Sequence, residues 1–231
     1  MRLRRICMCG LVAAMAWGTT PAQAQQREAT RPERPRNART ITTNRDLTRH
    51  IERRGDTLRE LDLSHSEVTS QGLQHIARLK SLHRLSLAHT PLKSSGAQYM
   101  AGLKHLRRLD LSHTGMRSSS AQYIAGLKNL RELDLSHNGI GSASAQYLAG
   151  LNQLRRLDLS HTRASASSTQ YLVRLKQLRR LDLSHSDVAD SSIQYLTHLT
   201  ALRHLDLRGT AVTRPGVERL LDALPLCDIY Y

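Results

Sequence analysis

The sequence predicts an α/β solenoid, with short parallel strands stacked along one side and short helices along the other. Three observations lead there. A 24-residue unit recurs seven times, opening at Leu58, Leu82, Leu106, Leu130, Leu154, Leu178 and Leu202. Each unit opens with Leu-x-x-Leu-x-Leu. Two hydrophobic periods also coexist within a unit. Leu109-Asp110-Leu111 alternates as a half-buried strand does, whereas Ala121, Ile124 and Leu127 follow the three-residue spacing of a short helix. No unit can bury its apolar side alone, so the coils must stack.

The elements follow in chain order. Residues 1–24 read as a secretory signal peptide. Met1 to Arg5 form a positive start, Ile6 to Gly18 a short apolar run, and Ala22-Gln23-Ala24 a small-x-small cleavage site. The apolar run is shorter than the roughly 20 residues of a membrane span, so the predicted location is exported, periplasmic or secreted. Residues 25–42, rich in Arg, Pro and Thr, are expected to be a basic disordered linker. Residues 43–57 read as a helical cap over the first Leu layer. Residues 58–225 are the seven repeats, and residues 226–231 a capping strand.

Within a coil, the Leu at positions one, four and six should point inward. The apolar residue at position eleven (Val68 to Val212) and the helix residues Ile76 to Leu220 should join them. Ser residues ahead of each helix can cap it. Strands pack about 4.8 Å apart and helices about 10 Å apart. The array should therefore bend into a horseshoe with strands on its concave face.

Composition limits what such an array can be. The chain of 231 residues has no Phe and one Trp, Trp17, which lies in the signal segment. A Leu ladder must supply the core. Cys7 and Cys9 also lie in that segment, so the mature chain keeps Cys227 and forms no internal disulfide. Loss of Arg2, Arg4 and Arg5 lowers the net charge from +15 to +12. A basic surface favours anionic partners.

The Leu-x-x-Leu-x-Leu coils resemble the leucine-rich-repeat family, and within it the 24-residue bacterial types, including planctomycete and GALA-type arrays. The ending Leu224-Pro225-Leu226-Cys227-Asp228-Ile229 is similar to a C-terminal cap of such arrays. The resemblance implies a right-handed solenoid used in protein–protein recognition. The family's Asn at coil position nine is kept at Asn138. Ser66, Thr90, Thr114, Thr162, Ser186 and Thr210 replace it elsewhere, and a hydroxyl bonds the turn backbone more weakly. No F-box-like segment precedes the repeats, so a ubiquitin-ligase role is not implied.

Residues repeated at one coil position become rows in space. Position five carries Asp110, Asp134, Asp158 and Asp182, and position three carries Arg84, Arg108, Arg156 and Arg180. Like charges on neighbouring strands repel, and the arginines are expected to neutralise the aspartates. The two rows are either a compensated charge lattice or a polar concave surface for a charged protein partner. Position eight carries His65, His89, His113, His137, His161 and His185, half of the twelve histidines. These are candidates for an edge-binding surface that charges between about pH 5 and 7. A uniform ladder specifies no metal ligand set, so no metal site is assigned. Tyr99, Tyr123, Tyr147, Tyr171 and Tyr195 form a helix-side row, read as a covering stack or a sticky patch.

No catalytic set and no cofactor are predicted. Asp110-Leu111-Ser112-His113 resembles a hydrolase inventory, but it recurs in most coils and no copy is unique. There is no phosphate-binding Gly loop and no zinc spacing. Export and the Asp row argue against nucleic acid. The expected function is a non-enzymatic protein-binding scaffold. Alternatives are an envelope-associated binder of anionic polymer or glycolipid, and a secreted effector acting on host proteins.

Overall fold

A computed structural model describes residues 41–92 and 94–231. The segment read as a signal peptide, 1–24, and the one read as a linker, as far as residue 40, lie outside the described residues.

Eight strands form one parallel sheet in chain order. They are β1 (Glu60–Asp62), β2 (Arg84–Ser86), β3 (Arg108–Asp110), β4 (Glu132–Asp134), β5 (Arg156–Asp158), β6 (Arg180–Asp182), β7 (His204–Asp206) and β8 (Asp228–Tyr230). Leu85 pairs with Leu109 and Leu109 with Leu133, so the 24-residue register of the sequence becomes the register of the sheet. Short helices return the chain between strands. They are α2 (Ser70–Leu73), α3 (Ala121–Ile124), α4 (Ser142–Leu148), α5 (Ala166–Leu172), α6 (Ile193–Leu196) and the longer α7 (Arg214–Ala223), following the N-terminal α1 (Asn44–Arg54). A 3₁₀ stretch, Ser94–Met100, takes this place in the second coil. This is an α/β solenoid of stacked parallel strands and short return helices.

The core is a Leu ladder. Leu85, Leu109, Leu133, Leu157, Leu181 and Leu205 are buried, as are Met116 and Ile140 at position eleven and Ile124, Leu148 and Leu172 on the helices. A second ladder, Leu79, Leu103, Leu127, Leu151, Leu175 and Leu199, closes the loop after each helix. Position fifteen must stay small. It is Gly72, Gly96 and Gly216 at the ends of the array and Ser120, Ser144, Ser168 and Ser192 between them. A Cβ on Gly72 would meet Asn44 Oδ1 at 2.2 Å. On α5, Ser165 and Ser168 form a reciprocal cap. At the other end of the helical segments, Lys104 and Lys128 Nζ each donate to the Gly126 and Gly150 carbonyls of the next coil at 3.2 Å. A cation is favourable where a helix ends.

Two boundaries differ from the sequence reading. Ile41 packs against the core, and Thr42 accepts a hydrogen bond from Glu67 N–H at 2.8 Å. The segment read as linker is therefore docked by its last two residues, because the first coil otherwise leaves that backbone donor open. At the other end, the strand begins at Asp228, not at residue 226. Leu226 is 71% exposed while Leu224 and Cys227 are buried. Cys227 N–H donates to Leu224 C=O at 3.0 Å, as the position-one Leu202 does to Leu199 at 2.9 Å, so Cys227 and not Leu226 takes the place of the inward Leu. Burial, reinforced by Asp228, pushes the Cys227 thiol up to about 12, so it is a packing residue and not a reactive one.

Candidate functional site

The surface is a set of rows, each row being one coil position carried across the strands. Row five holds the aspartates. In five coils Asp Oδ1 accepts from the backbone N–H and the hydroxyl of the Ser two residues on. For Asp110 and Ser112 the two distances are 3.0 and 2.8 Å, and for Asp158 and Ser160 they are 2.9 and 2.7 Å. The same pattern holds at Asp62, Asp134 and Asp182. In the seventh coil Arg208 replaces the Ser, and its Nε lies 3.0 Å from each Asp206 carboxylate oxygen. The Asp row thus fastens the turn that follows each strand.

Those Ser–Asp bonds engage the Ser and Asp of the Asp-Leu-Ser-His sequence in the turn. Ser112 donates its proton to Asp110, the same oxygen that accepts its backbone N–H, so this hydroxyl is part of the turn.

The predicted neutralisation of row five by row three is corrected. Along row three, Arg84 Nη1 meets Glu60 Oε1 at 3.1 Å, Arg108 contacts Glu132, and Arg156 Nη1 lies 3.9 Å from Glu132 Oε1. Both glutamates of row three are paired within the row because Glu60 and Glu132 face arginines in register on adjacent strands. Burial, then repulsion from Asp134, raises the Asp158 carboxyl well above the ordinary carboxylate range. Burial and Asp206 raise Asp182.

Row eight is the least expected. His65, His89, His113, His137, His161 and His185 all have positive φ, between 52° and 56°. This left-handed turn re-aims the chain after each strand, and His is among the few residues enriched there. Their rings stack face to face, with centroids 3.9–4.4 Å apart and planes within 15°. Imidazole lone pairs lie in the ring plane, so stacked rings present parallel and not convergent lone pairs. Such a column has no geometry for chelation. Burial, then neighbouring His113 and His161, lowers His137 to about 4; burial and neighbouring histidines lower His113 and His161. The sequence expectation of charging between pH 5 and 7 is too high for His137.

Gly209 occupies the eighth position of the seventh coil, with φ of 66°. A Cβ there would meet His185 Nδ1 at 2.5 Å. The sequence held this clue: a glycine in register with six histidines marks a positive φ. Gly209→Val should cost about 1–3 kcal/mol in urea unfolding, and Gly209→Asn less, because Asn tolerates this region. Equal stability of Gly209→Val and the parent would refute the left-handed assignment.

On the helical side the five tyrosines are half-buried and the neighbouring Gln98, Gln122, Gln146, Gln170 and Gln194 are exposed. Tyr171 and Tyr195 border an open depression of about 460 Å³ together with Arg174 and Lys176.

One row was missed from the sequence. Position two is Arg59, His83, Arg107, Arg131, Arg155, Arg179 and Arg203. Its six arginines are exposed at the N-terminal ends of the strands. A count of residue types by coil position would have found them; attention to strand alternation passed over a position that precedes each strand. Rows two and three together line a depression of about 490 Å³ between β1 and β4.

The comparisons agree with this architecture. The family model for the leucine rich repeat matches residues 56–116 and 105–164. Among solved structures, the chain is similar to an internalin C2 from Listeria monocytogenes. The identity is 25% and the TM-score 0.64, covering 84% of this chain and 76% of that one. No curated protein matches the chain in sequence. No helix among the described residues is long and apolar enough to cross a membrane.

Proposed function

We propose, from the premise that residues 56–164 are leucine-rich repeats, that this chain is an exported, non-enzymatic scaffold that binds a protein partner. The repeats and the internalin-like neighbour support a protein-interaction scaffold. The observation that carries the reading is the continuous polar face of the sheet. Rows three and five run in register over seven strands, and their chemistry is spent on turns and ion pairs, with no single activated residue. A row repeated on every rung suits extended recognition better than catalysis at one point. Within that face, Arg84, Arg108, Arg156 and Arg180, with Asp110, Asp134, Asp158 and Asp182, are the proposed contact residues. His89, His113, His137, His161 and His185 border it. The 24-residue period supports a place among bacterial arrays of planctomycete and GALA type.

Export rests on the sequence of residues 1–24. The test is capture of partners from extracytoplasmic fractions by the full chain at low and high salt. A protein retained at about 0.5 M salt supports the reading. Recovery of anionic polymer or glycolipid alone, lost at that salt, overturns it in favour of a polyanion binder.

A further inference from the structure

We infer that row two is the recognition strip of this scaffold, and that it takes an extended acidic segment of the protein partner. The inference rests on the protein-binding reading and names the chemistry of the partner.

Arg107, Arg131, Arg155, Arg179 and Arg203 stand on consecutive rungs. The backbone ladder continues into this row: Arg131 N–H donates to Arg107 C=O, and Arg155 N–H to Arg131 C=O, each at 2.8 Å. The row is therefore as regular as the strands themselves. At about 4.8 Å per rung, Arg107 to Arg203 covers about 19 Å. Six residues of extended chain cover the same length at about 3.3 Å each.

The charge of the row is left uncompensated. Among the described residues, Arg59, Arg107, Arg131, Arg155 and Arg179 have no carboxylate at ion-pair distance, whereas the acids of row three are already engaged by row-three arginines. On the side away from the strands, neutral Asn129, Gln153 and Gln177 stand two residues before Arg131, Arg155 and Arg179. Asn129 and Gln153 line a small recess with Arg107 and Arg131.

Residue choice narrows the ligand. Row two uses Arg at six of seven places, although the chain places Lys three positions earlier, at Lys80, Lys104, Lys128 and Lys176. Arg offers a planar fork that pairs with a carboxylate through two parallel hydrogen bonds, and Lys does not. Width excludes a broad polyanion. The Asp row lies three residues further along the strands, about 10 Å away, so a nucleic-acid duplex laid on row two would also cover carboxylates. A single extended chain would not. The acidic segment therefore runs across the strands, along the row, with its carboxylates on the guanidinium forks and its amides against Asn129 and Gln153.

The experiment uses the full chain and two fluorescent 12-residue peptides, one alternating Glu and Ser, the other Gln and Ser. Fluorescence anisotropy should show binding of the Glu peptide that weakens between about 50 and 300 mM salt, and none of the Gln peptide. Arg131→Glu/Arg155→Glu/Arg179→Glu should lose about tenfold or more in affinity. Arg45→Glu/Arg53→Glu/Arg219→Glu makes the same charge change on the capping helices and should stay within about twofold. Thermal melts confirm that both variants are folded. Equal loss in both variants overturns the inference, because net charge alone would then explain binding. So does polyphosphate that outcompetes the Glu peptide at equal charge, which would assign the strip to a phosphate polymer. A captured protein partner that the row-two variant still retains overturns the strip and leaves the scaffold reading standing.

Discussion

Asn138→Leu is expected to lower the unfolding free energy by about 3–5 kcal/mol. Asn138 is buried and its amide reaches polar groups of two coils, the two Nδ2 protons being shared among three carbonyls. Its Nδ2 donates to the carbonyls of Leu111, Leu135 and Ser136 at 2.7, 3.1 and 3.1 Å. Its Oδ1 accepts from Met116 N–H at 2.9 Å, and the Thr114 hydroxyl, which donates to Leu111 C=O at 2.7 Å, lies 3.2 Å away. Leu keeps the branching and the number of heavy atoms but leaves a buried amide and carbonyls without partners, and that desolvation is the large term. Asn138→Thr should cost less than half as much. The hydroxyls of Thr90, Thr114, Thr162 and Thr210 already hold the position-six carbonyl of their own coils at 2.5–2.7 Å. Each coil contacts chiefly its neighbours, so the Leu variant should also weaken the junction between the third and fourth coils and broaden the urea transition. Two variants of equal stability would show that the cross-coil bonds carry no weight.

Acid should weaken the folded array from about pH 6.5 downward. An imidazole in the unfolded chain takes a proton near 6.5. In the folded chain burial and stacked neighbours hold His113, His137 and His161 below that value, His137 at about 4. Between those pH values the unfolded state binds more protons, so stability falls as pH falls. Asp110 and Asp182 act against this by raising His113 and His161 respectively, but they are not the leading cause at either. Asp158 and Asp182 contribute with the opposite sign. Their carboxyls are raised in the fold, so their charged forms cost stability at neutral pH and that cost is relieved as pH drops through their folded values toward 3.8. The histidine contribution is the part that begins to be lost at about pH 6.5, and a variant lacking the three rings separates it from the opposing carboxyl contribution. Melting temperatures measured from pH 7.5 to 4.5 should fall by several degrees in the parent. They should fall less in His113→Asn/His137→Asn/His161→Asn, where Asn keeps the left-handed turn without a titrating ring. Parallel curves for the two proteins would remove the stack as the cause.

The candidate site was legible in part. Rows three, five and eight could be read from the sequence because strand alternation and the 24-residue period place them without any tertiary information. Their roles could not. Asp110 looked like a surface charge awaiting an arginine, and it is instead the acceptor that fastens Ser112. His137 looked like an exposed imidazole near its ordinary pKa, and it is one plate of a stack. Both differences arise from distances between coils that a period count does not contain. The arginines of row two were in plain view in the sequence. Their significance depended on knowing that the acids of row three are already engaged and that no carboxylate among the described residues reaches them.

The sequence by itself determined the period, the strand register and the Leu core. All three follow from local periodicity and from the inability of one coil to bury its own apolar face. Only the tertiary structure decided which side chain pairs with which. Stacking coils about 4.8 Å apart turns each coil position into a row whose nearest neighbours are its own copies, so hydrogen bonds and pKa values are set between coils and not along the chain.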